Sequence, residues 1–200
     1  MYRTWLLYVL VAPFGWLNAF SAAHNIFKSY PNTYFVETGS YLGDGIALAL
    51  EAGFPYIYSV ELSEPLYQHC CQRFRAASQV HLCQGDSAFL LNEILKRLDA
   101  PATFWLDGHY SGGDTVKGAR NTPILEELAV IASHPIKTHT IIIDDVYDFG
   151  TPWFDFITAS DIAQALLKIN HNYILCVEYR SNGTHPWPVL IASVNNWIDQ

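Results

Sequence analysis

Five short apolar or β-rich stretches in this 200-residue chain end on acidic residues. The ends are Val36-Glu37-Thr38-Gly39, Ser59-Val60-Glu61, Gln84-Gly85-Asp86, Trp105-Leu106-Asp107-Gly108 and Ile143-Asp144-Asp145. Helical patterns separate them, and strands that alternate with helices form a parallel sheet with crossover helices on its faces. In such a sheet, ligands bind beyond the carboxyl ends of the strands, where the strand order reverses. The chain thus gathers carboxylates along the one edge where an α/β fold keeps its site.

The pattern predicts strands over Thr33 to Glu37, Tyr56 to Glu61, Val80 to Cys83, Thr103 to Leu106 and Thr140 to Ile143. The last of these is a β-branched run suited to the buried centre of a parallel sheet. A helix from Gly43 to Ala52 follows the first strand, and Ser63 with Pro65 opens the next one. Asp86 or Ser87 caps a helix whose Leu91, Ile94, Leu95 and Leu98 make one apolar stripe. Thr122-Pro123 starts another, with Glu126 and Glu127 near its positive end. A further helix carries Ile162, Leu166, Leu167 and Ile169. Tyr173 to Val177 and Val189 to Val194 have no helix between them, only the turn sequence Ser181-Asn182-Gly183, so they pair antiparallel. The expected fold is α/β: a doubly wound, seven-stranded, mostly parallel sheet with an antiparallel C-terminal hairpin.

Half the residues are hydrophobic, enough for one domain over residues 30–200 with an ordinary core. A net charge of -8 argues against a nucleic-acid partner, which calls for a basic face. The partner expected is a small-molecule acceptor, and the sequence leaves a homo-oligomer open. Cys70, Cys71, Cys83 and Cys176 show no metal-ligand spacing and read as reduced cysteines in a cytoplasmic protein. Residues 1–29 stand apart. Trp5 to Ala23 is almost uncharged and ends in Ser21-Ala22-Ala23, while Pro13, Gly15 and Asn18 interrupt it. It reads equally as a signal, as an anchor making membrane contact through residues 5–23, or as an arm packed on the domain.

Glu37-Thr38-Gly39-Ser40-Tyr41-Leu42-Gly43-Asp44-Gly45 joins the first strand to its helix. Gly39 allows a sharp turn and close approach to a ligand, and Gly43 opens the helix. The glycine spacing is not that of a dinucleotide fingerprint, and Glu37 and Asp44 bring negative charge where a pyrophosphate needs a bare helix end. A cationic cofactor such as S-adenosylmethionine suits the loop better. Glu61, about twenty residues after Gly39, stands where an acidic side chain takes ribose hydroxyls, and Asp86 with Ser87 stands beside an adenine. Asp86 reads equally as a simple helix cap.

Asp107, Asp144 and Asp145 end neighbouring strands and would repel unless a cation neutralised them. Oxygen-only donors favour Mg²⁺ or another hard divalent cation. His109 could act as general base, with an ordinary pKa of about 6.5.

Residues 33–149 resemble the class I S-adenosylmethionine-dependent methyltransferases. Leu106-Asp107-Gly108-His109, with Ile143-Asp144-Asp145 downstream, resembles the metal-dependent sugar O-methyltransferases of the macrocin O-methyltransferase type. The resemblance implies O-methyl transfer to a sugar, polyol or catechol-like hydroxyl. It also implies that Glu37, Gly39 and Gly43 line the methionine moiety, with Ser40 and Tyr41 in the same loop. Glu61 would serve the ribose, and Asp86 with Ser87 the adenine. Asp107, Asp144 and Asp145 would hold the metal, and His109, next to Asp107, would be the base. Two other readings stay open: a metal-independent methyltransferase of the same fold, and a cofactor-binding protein without catalysis. The chain departs from the family in its long Asp107-to-Asp144 stretch, where Ser111-Gly112-Gly113-Asp114 and Lys117 to Arg120 are expected to form the acceptor pocket. Tyr2 to Ser29 stands where relatives carry a lid.

Overall fold

A computed structural model describes residues 25–110, 112, 118, 120–181 and 186–194. Seven strands form one sheet in the order β3-β2-β1-β4-β5-β7-β6. They are β1 (Tyr34–Thr38), β2 (Tyr56–Glu61), β3 (Val80–Gln84), β4 (Ala102–Leu106), β5 (Thr140–Ile143), β6 (Ile174–Ser181) and β7 (Pro186–Ser193). The first five are parallel, and β7 runs antiparallel to both β5 and β6. The helices are α1 (Asp44–Ala52), α2 (Glu64–Arg73), α3 (Ser87–Leu95), α4 (Ile124–Ser133) and α5 (Ala159–Ile169).

Right-handed crossovers decide which face each helix covers. Helices α3, α4 and α5 pack on the face built by Tyr34, Val36, Phe104, Ile141 and Ile143. Phe35, Ile57, Trp105 and Ile142 face the other way, onto α1 and α2. Successive strand residues point to opposite faces, so this parity extends to the strand ends. Thr38 therefore shares the α4 side with Val36, and Glu37 shares the α1 side with Phe35.

Chain order reverses between β1 and β4. The loop after β1 leads to α1 on one face and the loop after β4 leads to α4 on the other, which opens a crevice between them. Gly39 makes it narrow: at φ +85° it turns the chain so closely past β4 that a β-carbon there would lie 2.3 Å from the Asp107 carbonyl oxygen.

The fold matches the sequence expectation, with strand ends moved by a residue or so. The hairpin is longer than expected, with pairing out to Ser181 opposite Pro186. Backbone hydrogen bonds sustain an edge strand through polar residues that apolar periodicity does not mark. The Ser181-Asn182-Gly183 turn lies outside the described residues beyond Ser181. Two 3₁₀ turns, Val146–Asp148 and Pro152–Phe154, fill the β5-to-α5 connection, where no element was expected. A third, Ile26–Ser29, buries Ile26 and Phe27 in the α1-side core, with Phe27 edge-on to Trp105 at 5.3 Å. The folded unit thus includes Asn25 to Ser29, ahead of the boundary expected at residue 30. The proposed anchor or arm over residues 5–23 lies outside the described residues. No described helix is long and apolar enough to cross a membrane. All four cysteines are free thiols.

Candidate cofactor and metal site

A cavity of about 690 Å³ occupies the crevice, within the usual range for a small-molecule site. Gly39 and Tyr41 line it from the β1 loop, Glu61 from the end of β2, and Asp86 and Ser87 from the start of α3. Asp107, Gly108, His109 and Tyr110 form the opposite wall, with Arg120 and Asn121 beyond them. Five of the eight residues expected to bind a cofactor therefore meet at one cavity.

The other three support the loop from behind. Strand parity turns Glu37 under α1, where its Oε1 packs so tightly on the first helical turn that a β-carbon at Gly45 would sit 1.8 Å away. Its Oε2 accepts from Ser59 Oγ at 2.5 Å, and Ser59 in turn meets Ser40 Oγ at 2.5 Å. Burial pushes the Glu37 carboxyl up to about 8, against the opposing effect of the Ser59 hydrogen bond. Gly43 caps α1 at φ +87°, its α-carbon facing Phe74 and Cys70 rather than the cavity. Asp44 is paired with exposed Arg73 at 2.8 Å. The acidic residues lining the cavity are thus Glu61, Asp86, Asp107 and Glu126, not Glu37 or Asp44.

Backbone amides hold Glu61 in place. Its Oε2 accepts from Tyr41 N and its Oε1 from Ser63 N, both at 2.8 Å. Each oxygen keeps a lone pair for a ligand hydroxyl. Asp86 Oδ1 accepts from Ala88 N at 2.9 Å and caps α3, so the cap reading holds while the residue also lines the cavity. Ser87 turns its hydroxyl away, to Glu127 Oε1 at 2.5 Å.

A second, small cavity of about 10 Å³, room for a single water-sized sphere, adjoins the first. Asp107, His109, Asp144, Asp145 and Glu127 all line it. Asp107, Gly108 and His109 are common to both cavities. One donor atom from each of Asp107, His109 and Asp145 lies within 4.8 Å of the others, close enough to share one cation. Asp145 reaches this cluster from a left-handed backbone (φ +58°), beside its buried neighbour Asp144. The tight group is therefore two carboxylates and an imidazole, with Asp144 against the same small cavity. No lysine or arginine lines that cavity among the described residues. Two acidic oxygens with one nitrogen still suit a hard or borderline divalent cation.

His109 Nδ1 lies 2.9 Å from Asp145 Oδ2 and 3.8 Å from Asp107 Oδ1, while Nε2 lies 3.9 Å from Asp148 Oδ2. Burial acts to lower the imidazole pKa, but the adjacent Asp145 carboxylate, with Asp148 and Asp144 behind it, outweighs burial and raises it.

Two acidic residues at this site escaped the sequence reading. Asp148 stands one helical turn beyond Asp144 in the unforeseen 3₁₀ turn. The helix dipole alone would account for Glu127 in a first turn, yet it is 1% exposed, and burial pushes its carboxyl up to about 7 despite the hydrogen bond from Ser87. The signal available was its place on the same helical side as Ile124, Leu128 and Ile131. Much of the expected acceptor loop (residues 111, 113–117 and 119) lies outside the described residues.

No protein-family model and no curated protein sequence matches the chain. Solved structures do. An O-methyltransferase from Bacillus cereus in complex with SAH superposes with a TM-score of 0.58 at 12% identity, over 85% of this chain and 77% of that one. The O-methyltransferase TomG from Streptomyces achromogenes, in complex with SAM, gives 0.57 at 11% identity, over 86% and 77%. Spermidine synthase from Thermotoga maritima gives 0.58 at 13% identity, over 86% of this chain and 58% of that one. The fold is thus the Rossmann-like fold of methyltransferases, shared with an enzyme named for a different product, so the reaction must be argued from the site.

Proposed function

We propose that the protein is an S-adenosylmethionine-dependent O-methyltransferase that acts on a small hydroxylated acceptor with the help of a divalent cation. One observation carries the reading: Asp107 and His109 border both the adenosyl-sized cavity and the small acidic one, so a cofactor and a cation would meet at those two residues.

Glu61 would accept hydrogen bonds from the two ribose hydroxyls, and the Asp86–Ser87 segment would flank the adenine. Gly39 would let the sulfonium approach the Asp107 wall. Asp107 and Asp145, with Asp144 behind, would hold Mg²⁺ or a similar ion. Such an ion would supply Lewis-acid chemistry, lowering the pKa of an acceptor hydroxyl held beside these carboxylates. With the Asp145 carboxylate 2.9 Å from Nδ1, His109 would use Nε2 to take the hydroxyl proton as the oxygen–carbon bond forms and the carbon–sulfur bond breaks. Alignment of oxygen, methyl carbon and sulfur across the crevice supplies most of the rate gain. An acceptor with adjacent hydroxyls, a sugar, polyol or catechol, fits this scheme.

The 2.9 Å His109–Asp145 pair also supports a second reading, a metal-independent methyltransferase in which this dyad is the whole base. Calorimetry with S-adenosylmethionine, with and without Mg²⁺, tests the cofactor and the ion. Glu61→Ala should weaken cofactor binding on the order of tenfold or more, and EDTA should abolish turnover. Unchanged binding in Glu61→Ala refutes the ribose assignment; turnover that survives EDTA selects the second reading.

A further inference from the structure

We infer that Glu127 is a positioning residue that locks the cofactor wall and the chemical wall of the crevice to each other. The inference rests on the reading above, that the large cavity holds an adenosyl cofactor. Glu127 projects from the first turn of α4 into the floor of the crevice, and it touches none of the expected reacting atoms. Its Oε1 accepts from Ser87 Oγ at 2.5 Å, and the buried Thr38 hydroxyl borders the same space beneath Gly108. The same Oε1 lies 3.3 Å from where a β-carbon on Gly108 would stand, so no side chain fits freely between it and the Asp107–His109 loop.

One carboxylate thus stands among the end of β1, the start of α3, to which it is hydrogen-bonded, and the loop after β4. Those three segments border the ligand, and no backbone ladder joins all of them beyond the sheet edge. By drawing the Ser87 hydroxyl downward, Glu127 leaves the Ser87 backbone to face the cavity. By filling the space under Gly108, it fixes how far Asp107 and His109 stand from that wall. A buried carboxyl is costly unless its hydrogen bonds are met, and an apolar residue would brace α4 at lower cost. An apolar residue could not hold Ser87.

The test uses the full chain and measures SAH binding by calorimetry alongside thermal melting for Glu127→Ala, Glu127→Gln and Ser87→Ala. Glu127→Ala should raise the SAH dissociation constant roughly tenfold. Glu127→Gln, which keeps the volume and an amide oxygen to accept from Ser87 Oγ, should stay within about threefold of wild type. Ser87→Ala should weaken binding, and adding it to Glu127→Ala should cost little more, because both remove one link. If Glu127→Ala fails to fold, the Gln and Ser87 variants carry the comparison. SAH affinity unchanged in folded Glu127→Ala or in Ser87→Ala would overturn the inference, as would a Gln variant as damaged as the Ala variant. Wild-type protein that binds no SAH overturns the cofactor reading itself, a distinct result.

Discussion

Acid should loosen this protein through His139, and the size of the effect follows from its surroundings. His139 begins the run into β5, is fully buried, and stacks edge-on to Phe104 at 5.1 Å. Its Nδ1 accepts from Ala102 N at 3.0 Å, so that nitrogen cannot carry a proton. Its Nε2 lies 3.0 Å from His134 Nδ1, which places the single ring proton between the two imidazoles. Protonation would set a new N–H against the Ala102 amide in a dry site. Burial, then the neighbouring His134 and Lys137, push the His139 pKa from 6.5 down to about 4. A histidine with a depressed folded pKa is neutral in both states above pH 6.5 and costs nothing there. As pH falls from 6.5 to about 4, the unfolded chain takes up a proton that the folded one refuses, so stability falls. The gap of about two and a half pH units corresponds to about 3 kcal/mol.

Two carboxyls work in the opposite direction. Glu37 and Glu127, raised to about 8 and about 7, give stability that is full below their unfolded pKa of 4.5 and lost as pH rises through the folded values. A bare pH–stability curve therefore mixes signs, and a difference curve is needed. His139→Asn keeps an acceptor for Ala102 N and does not titrate. Urea unfolding of both proteins from pH 7.5 to pH 4 should show the wild type losing about 3 kcal/mol relative to the variant. Parallel curves across that range would refute the argument.

Three other outcomes follow from the same contacts. Glu37→Gln should gain stability relative to wild type between pH 5 and pH 8, by about 4 kcal/mol at the upper end, as read by urea titration at the two pH values. Gly39→Ala forces a β-carbon onto the Asp107 carbonyl in a left-handed backbone; it should cost about 2 kcal/mol or more and abolish SAH binding in calorimetry, and a stable variant that binds SAH normally contradicts the crevice geometry. Asp155→Ala removes acceptors for Asn121 N, Asn121 Nδ2 and Thr122 N at 2.8, 2.9 and 3.1 Å. It should cost about 2 kcal/mol in thermal melting, and Asp155→Gly less, because glycine relieves the φ of +51° there.

Strand alternation explains what the sequence could and could not disclose. Strand boundaries and order were legible because the apolar runs are long and the helices between them are amphipathic. Acidic strand ends correctly marked the ligand edge, yet an acidic end does not by itself say which face its side chain takes. Glu37 and Glu61 both point to the α1 side by parity, but Glu37 stops one residue inside its strand, under the helix, while Glu61 ends its strand and borders the cavity. A one-residue difference in where pairing ends therefore separates a buried brace from a ligand-facing carboxylate. The Asp144-Asp145 pair turns on a different feature, the left-handed backbone at Asp145, and nothing in the residue types announces it. Glu127 was hidden for a third reason. Glutamate in a first helical turn is ordinarily explained by the dipole, and only the packing of α4 beneath the crevice gives this one three neighbours from separate strands and helices. Sequence pattern located the edge where chemistry can occur; the tertiary placement of Thr38, Ser87 and Gly108 around one carboxylate decides how that edge is held.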